Sequence, residues 1–301
     1  MRRFFALILV GIILLTSHLA QAEVKIFACE PEWEALAKEI GGKNVKTFSA
    51  THAKQDPHHI RARPSLISKA RNANIIFCSG ADLEIGWLPI LLQKASSSVQ
   101  PGEIGYLMAA DYVPILEKLS QVDRSMGDVH PKGNAHVHLN PHNILLVAKE
   151  LTRRLKIIDE PNNNFYQAQL DNFLSRWGTA ISNWEKNDFS AKKLKLVVHH
   201  KSFSYLFDWL NIKAVASLEP KPGIAPTTKY LQSLLINLKH KPANLIVRTP
   251  YEPSDASEWL SDKLKIRAIV LPYTINGDKE SDNLFKLFDR TVSLLQEVNY
   301  D

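Results

Sequence analysis

Residues 24–51, VKIFACEPEWEALAKEIGGKNVKTFSAT, contain the pattern on which the fold prediction depends. The short apolar run VKIFAC (24–29) predicts a strand, and in EPEWEALAKEIG apolar residues recur at helical spacing. VKTFSAT (45–51) predicts a second strand. A strand, a helix and a strand in this order predict a parallel sheet covered by helices.

The same alternation continues along the chain in two blocks. The first block adds a strand at 73–80 and helices at 65–72, 81–96 and 144–158. The second block has strand-like runs at 194–200, 213–219, 244–250 and 266–273, each followed by a helical stretch. A long stretch with helical spacing, 160–189, separates the blocks.

We therefore predict an α/β protein with two lobes, each a parallel sheet flanked by helices. The predicted boundaries are 23–159 for the N-terminal lobe, 160–189 for one long linking helix and 190–301 for the C-terminal lobe. Ligands of open α/β sheets bind beyond the carboxyl ends of the strands. The binding site is therefore expected in the cleft between the lobes.

The N-terminal 22 residues have the features of a secretory signal peptide. Arg2 and Arg3 precede a run of 12 apolar residues, and Ala20 and Ala22 form an A-x-A exit. The apolar run is shorter than the ~20 residues that span a bilayer. We expect cleavage after Ala22 and a soluble periplasmic protein, with a retained N-terminal anchor as the alternative. The absence of a cysteine near this site argues against a lipid anchor.

The basic residues are scattered, which gives little support to nucleic-acid binding. The formal charge of +6 falls to +4 when Arg2 and Arg3 are removed with the leader. No basic block or aromatic–basic interleaving is present in the sequence.

The two cysteines, Cys29 and Cys78, each end an apolar, strand-like run. Neighbouring parallel strands lie ~4.8 Å apart, which is within bridging range when the register agrees. An exported protein meets an oxidising compartment, so we expect a disulfide. The alternative is a pair of buried thiols that pack as small hydrophobes.

Histidines are concentrated in three segments that follow or adjoin predicted strands. These segments are QDPHHI (55–60), GDVHPKGNAHVHLNPHN (127–143) and VVHHKSF (197–203). A single loop histidine is usually solvated, and one at a strand end usually makes a hydrogen bond. Three groups that open onto one cleft instead favour a metal site, because three imidazoles and a carboxylate complete the tetrahedral shell of zinc.

Several of these segments resemble the solute-binding proteins of zinc and manganese ABC transporters. DPHHIRARPS (56–65) resembles their D-P-H-x-(aromatic)-E-x-x-P-S segment, and HVHLNP (136–141) resembles H-x-W-L-(acidic/polar)-P. HHKSFSYLFDWLNI (199–212) resembles their H-x-x-F-x-Y motif. The similarity covers nearly all of residues 24–300 and is closest to a periplasmic zinc-binding (AztC-like) branch.

The resemblance implies that His58, His136 and His200 are ligands of Zn²⁺, since each is the histidine of its motif. It leaves His59, His138 and His199 as neighbours of the ligands. Ile60, Arg61 and His138 depart from the family's residues and are expected to change loop packing without removing a ligand.

The resemblance leaves the fourth ligand open. Many members of the family have an aspartate directly after the last strand, where this chain has Pro272 and Tyr273. Asp278, later in the same loop, is the first candidate. Asp282, which is also placed to cap the last helix, and Glu219, at the end of a strand, are the alternatives.

The remaining histidines of 127–143 are assigned to roles outside the metal shell. His130 and His138 are expected on a Gly/Pro-containing loop at the mouth of the cleft, where they would capture zinc or transfer it. His142, at the start of a helix, is expected on the surface.

The expected function is the capture of periplasmic zinc and its delivery to a membrane ABC permease by a monomeric binding protein that is not an enzyme. A periplasmic zinc chaperone is a further candidate partner. One alternative is an exported zinc hydrolase, since three histidines and an open position also describe catalytic zinc. The absence of an H-E-x-x-H motif argues against it. A manganese or other divalent-metal binding protein, or an adhesin or lipoprotein of the same fold, is the other alternative.

Overall fold

Two four-stranded parallel sheets form the framework of the computed structural model, which describes residues 23–119, 126–127, 129–187, 189 and 194–298. The predicted signal peptide, 1–22, lies outside these residues. None of the described helices combines the length and the apolar character required to cross a bilayer.

The first sheet has the strand order β2-β1-β3-β4. Its strands are β1 (Val24–Ala28), β2 (Val45–Ser49), β3 (Ile75–Cys78) and β4 (Tyr106–Met108). Strand β4 was not predicted, because three residues are too few to show a periodic pattern.

The register of β1 and β3 confirms the expected disulfide. Ala28 pairs with Phe77. The residues that follow them, Cys29 and Cys78, are therefore neighbours on adjacent strands. The two cysteines are bonded, with their Cα atoms 4.8 Å apart.

The described residues of this lobe form the helices α1 (Pro31–Gly41), α2 (Pro64–Arg71), α3 (Leu88–Leu92) and α4 (Pro141–Ile158). Helix α3 is much shorter than the predicted helix at 81–96. The chain makes a series of turns over 81–87, and Gly80, Ala81 and Asp82 all have positive φ. An α-helix does not contain this conformation.

The second sheet repeats the topology of the first, with the order β6-β5-β7-β8. Its strands are β5 (Lys195–Val198), β6 (Lys213–Ser217), β7 (Leu245–Arg248) and β8 (Arg267–Val270). The helices of this lobe are α6 (Ser204–Trp209), α7 (Thr228–His240), α8 (Asp255–Leu264) and α9 (Leu284–Gln296). The linking helix, α5, precedes them in the chain.

The linking helix α5 (Asn163–Trp184) lies between the lobes and is shorter at both ends than the predicted 160–189. Its buried face carries aromatic residues that pack against the last helix. The Trp177 ring lies 4.8 Å from Phe285, and the Trp184 ring stacks 5.0 Å from Phe288. The Trp177 indole also donates to the carbonyl of Pro141, at the start of α4. The helix therefore joins elements of both lobes into one hydrophobic core.

Candidate metal centre

Three histidines from both lobes meet in the interlobe cleft. His58 follows β2, His136 precedes α4, and His200 follows β5. One ligand atom of each lies within 4.8 Å of the others, and the ring centroids are 5.5–5.7 Å apart. The structure therefore brings together the three histidines that the motifs indicated.

Each of these imidazoles has its Nδ1 atom held by an oxygen of a neighbouring side chain. The pairs are His58 with the Asp56 carboxylate at 2.7 Å, His136 with the Tyr273 hydroxyl at 2.8 Å, and His200 with the Glu219 carboxylate at 2.7 Å. An oxygen partner on Nδ1 orients the ring and favours the tautomer that has a lone pair on Nε2. All three rings are thus arranged to coordinate an ion through Nε2.

The His136 side chain gives the clearest indication that the cluster fits a cation. It is 1% exposed, and its Nε2 atom has no hydrogen-bond partner among the described residues. A buried polar atom without a partner normally costs ~1–3 kcal/mol of stability. A cation at this point would remove that cost, so the site fits a metal ion.

The surroundings shift the pKa values of His136, His200 and Asp56. Burial, followed by repulsion from His58 and His200, lowers the pKa of His136 well below its usual value. Burial also lowers the pKa of His200, but the hydrogen bond to Glu219 and its charge outweigh burial and leave that pKa raised. The pKa of Asp56 is lowered because its hydrogen bond to His58 outweighs the effect of burial.

The loop that holds His58 is fixed by local hydrogen bonds. The Asp56 carboxylate accepts from the backbone N–H of His58 at 3.0 Å as well as from its ring. The Trp87 indole donates to the Pro57 carbonyl at 3.0 Å. An aspartate two residues before the ligand therefore orients both the loop and the ring.

Asn134 connects the two lobes beneath the site. Its amide donates to the Lys201 carbonyl at 2.9 Å, and its side-chain oxygen accepts from the His136 N–H at 3.0 Å. The Tyr205 hydroxyl donates to the Asn134 carbonyl at 3.0 Å. The sequence analysis missed Asn134, because no motif includes it. Tyr205 could have been found, because it is the last residue of the H-x-x-F-x-Y motif.

The structure does not bring Asp278, the first candidate for the fourth ligand, to the three histidines. Its carboxylate accepts from the Arg290 guanidinium at 2.8 Å, and it is not part of the cluster of ligand atoms. The expectation for Asp278 is revised, because this ion pair holds the carboxylate against helix α9.

The two alternative carboxylates also have other partners. Asp282 lies 2.9 Å from Lys286, and Asn283 rather than Asp282 caps α9. Glu219 does reach the site, where it holds His200 in place. Sequence position could not distinguish a carboxylate that binds metal from one that orients a ligand.

His138 does not lie on a loop at the mouth of the cleft, which corrects that expectation. It is 1% exposed, its Nε2 lies 2.9 Å from the Tyr273 carbonyl, and its Nδ1 lies 3.1 Å from the Glu32 carboxylate. It packs under the site because the 3-10 turn Val137–Leu139 directs it inward. His142 is exposed, as expected, and pairs with Glu185 at 2.8 Å.

Comparison with known proteins identifies the family. A family model described as "Zinc-uptake complex component A periplasmic" (ZnuA) matches residues 26–298.

The chain belongs to the ZnuA family.

Curated relatives of this ZnuA-family chain are named for different metals. The "Manganese ABC transporter substrate-binding lipoprotein PsaA" of Streptococcus pneumoniae is 24% identical over 283 residues, which are 91% of this chain and 89% of that protein. The "Iron ABC transporter substrate-binding lipoprotein MtsA" of Streptococcus pyogenes is 23% identical over 233 residues, 75% of this chain and 72% of that protein. The chain is therefore a metal-binding component of the ABC-transporter type rather than an enzyme.

A solved structure has the same fold. The crystal structure of ZnuA superimposes with a TM-score of 0.75 at 18% identity and covers 92% of this chain and 100% of that one. The two-lobed α/β prediction is confirmed. The placement in the AztC-like branch stays a prediction.

Proposed function

We propose that this ZnuA-family chain captures Zn²⁺ in the periplasm and delivers it to a membrane ABC permease. His58, His136 and His200 are its ligands. The observation that carries this proposal is the convergence of three imidazole rings whose Nδ1 atoms are all held by oxygens. Zinc accepts three neutral imidazoles readily in a tetrahedral shell.

The donor set supports zinc over manganese. The ligand atoms that lie together in the described part of the cleft are all imidazole nitrogens, whereas Mn²⁺ prefers carboxylate, carbonyl and water oxygens. These two relatives are named for manganese and iron, so the choice of zinc rests on the chemistry of the site. Copper is the main competitor, because it exceeds zinc in intrinsic affinity for such donors.

Export agrees with two features of the chain. Residues 1–22 have the pattern of a signal peptide that is cleaved after Ala22. The Cys29–Cys78 disulfide is typical of an oxidising compartment such as the periplasm.

The division of the ligands between the lobes supports a role in delivery. His58 and His136 belong to the first lobe and His200 to the second. A permease that moves the lobes apart would remove a ligand and weaken the binding of the ion. A single closed shell within one lobe would not offer this means of release.

The test is metal binding by the purified, undialysed protein. We expect one equivalent of zinc by elemental analysis, and in competition titrations a preference for zinc over manganese. His200→Ala should lose most of the zinc, while the exposed control His59→Ala should retain it. Tighter binding of manganese than of zinc would contradict the proposal, and zinc-dependent hydrolytic turnover would favour the enzyme alternative.

A further inference from the structure

A fourth histidine, His130, lies against the metal centre from the loop that leads to His136. Its Nε2 atom is 3.1 Å from Nε2 of His58, and the two rings stack with centroids 5.1 Å apart. Its ring centroid is 6.2 Å from that of His136. His130 therefore directs the same ring nitrogen toward the same point as the three ligand histidines.

The loop that carries His130 is attached to the first lobe. The backbone of Ala81 lies close to the His130 ring, whose Nε2 atom faces His58. Lys132 pairs with Asp82 at 3.1 Å and so attaches the same loop to the turn after β3. The attachment of this loop keeps the His130 ring beside the ligand histidines, with Nε2 toward His58.

The distance between His130 and His58 fits two ligands of one ion. With Zn–N bonds of ~2.0 Å, tetrahedral geometry separates two ligand nitrogens by about 3.3 Å. The observed 3.1 Å is close to this value. His130 is not part of the group whose ligand atoms all lie within 4.8 Å of one another, so its ring has to move toward His136 and His200 to complete the shell.

The carboxylates nearest to the site do not fill the fourth position in this structure. Asp56 and Glu219 each hold the Nδ1 atom of a ligand histidine. Glu252 lines the same pocket, but it accepts from the backbone N–H of Thr249 at 2.6 Å and is not part of the group of ligand atoms. Asp278 is paired with Arg290. In Asp56 and in Glu219 one carboxylate oxygen is already engaged by the hydrogen bond that orients His58 or His200.

We propose that His130 is the fourth ligand and that the bound ion has an all-imidazole shell. This inference rests on the proposed function and deepens it, because it names the residue that sets metal preference. Four neutral nitrogens favour Zn²⁺, Cu²⁺ and Ni²⁺ and disfavour Mn²⁺. The two carboxylates behind His58 and His200 balance the charge of a divalent ion without binding it.

The test compares the zinc-loaded wild type with His130→Ala and His130→Glu, with His142→Ala as the matched control. X-ray absorption at the zinc edge should show four imidazole ligands in the wild type and in His142→Ala. In His130→Ala it should show three imidazole ligands and one oxygen ligand. Loss of one ligand of four should weaken zinc binding by roughly 10- to 100-fold. The carboxylate of His130→Glu should narrow the preference for zinc over manganese.

The two proposals fail in different ways. If the wild type binds one zinc through three imidazoles and an oxygen, and His130→Ala leaves both spectrum and affinity unchanged, the fourth-ligand assignment is overturned while the proposed function stands. If the wild type binds no zinc, the proposed function fails, and the inference fails with it. Circular dichroism of each variant, with His130→Gln as a second neutral replacement, separates loss of a ligand from loss of the fold.

Discussion

At the scale of single residues, the oxygens behind the ligand histidines decide how well the site is organised. Asp56 and Glu219 carry charge, whereas the partner of His136 is the hydroxyl of Tyr273. Tyr273 occupies the loop after the last strand, where many members of the resembled family have an aspartate. The chain thus uses this position to orient a ligand.

Removal of this hydroxyl tests its role. In Tyr273→Phe we expect zinc affinity to fall by ~10- to 100-fold, as is usual when a partner of a metal-bound histidine is lost. Tyr230→Phe is the control, because its hydroxyl donates to the Ser217 carbonyl at 2.8 Å and contacts no ligand histidine. Competition titration measures both variants. Equal affinities in the wild type and Tyr273→Phe would show that the hydroxyl does not support His136.

The ligand role of His136 is tested by its replacement with alanine. We expect His136→Ala to weaken zinc binding by roughly 100-fold or more, since structural zinc sites draw ~10–16 kcal/mol from about four ligands. His142→Ala should bind zinc like the wild type, because its ring is exposed and pairs with Glu185. Isothermal titration calorimetry at pH 7.5 measures the zinc affinity of both variants. Full affinity in His136→Ala would show that His136 is not a ligand.

At the scale of elements, two buried carboxyl groups lie at the carboxyl ends of β1 and β3. Glu30 and Glu84 both accept from the backbone N–H of Ser79, at 3.2 and 2.9 Å. Burial, and then the charge of Glu84, raises the pKa of Glu30 well above its usual value, and burial raises the pKa of Glu84 to about 7. The sequence analysis placed both residues in stretches predicted to be helical and assigned them no role.

These raised pKa values predict a dependence of stability on pH. A carboxyl group whose pKa is higher in the fold than in the unfolded chain holds its proton more tightly in the fold. The stability that it contributes is fully present below pH 4.5 and is lost as the pH rises through about 7. As the pH increases from 5 to 7.5, the metal-free wild type should therefore lose stability that metal-free Glu84→Gln keeps. The free energy of unfolding of Glu84→Gln should rise relative to that of the wild type. The difference should grow by on the order of 1 kcal/mol per pH unit.

Urea denaturation in the presence of a chelator measures this effect. The exposed Glu103→Gln serves as the matched control and should follow the wild type at both pH values. A constant difference between Glu84→Gln and the wild type across this range would mean that Glu84 is ionised in the fold.

At the scale of the whole molecule, the metal centre and helix α5 both join the two lobes. The ion would link His58 and His136 of one lobe to His200 of the other, while Trp177 and Trp184 connect the cores. Zinc should therefore stabilise the complete chain and not one lobe alone.

Zinc-dependent unfolding tests this coupling. At free zinc 100 times the Kd, the free energy of unfolding should rise by about 2.7 kcal/mol in a single transition. At the same free zinc concentration, the increase should nearly disappear in His200→Ala and persist in His59→Ala. Circular dichroism measures the unfolding transition at each zinc concentration. Two separate transitions, of which zinc shifts only that of the first lobe, would contradict the coupling.

The sequence by itself determined the features that depend on short-range patterns. The alternation of apolar runs and helical spacing gave two parallel α/β sheets, because period and length distinguish a strand from a helix. The positions of Cys29 and Cys78 at the ends of strand runs indicated the disulfide. The motifs around His58, His136 and His200 identified three residues that the fold brings together.

The tertiary structure alone decided the features that depend on distant contacts and on side-chain direction. The partner of His136 is Tyr273, 137 residues away, and His130 meets His58 across 72 residues. No local pattern records such pairs. His138 became buried, Asp278 paired with Arg290, and Glu219 became an orienting group for the same reason: which atom a side chain faces is set by the packing of the two lobes.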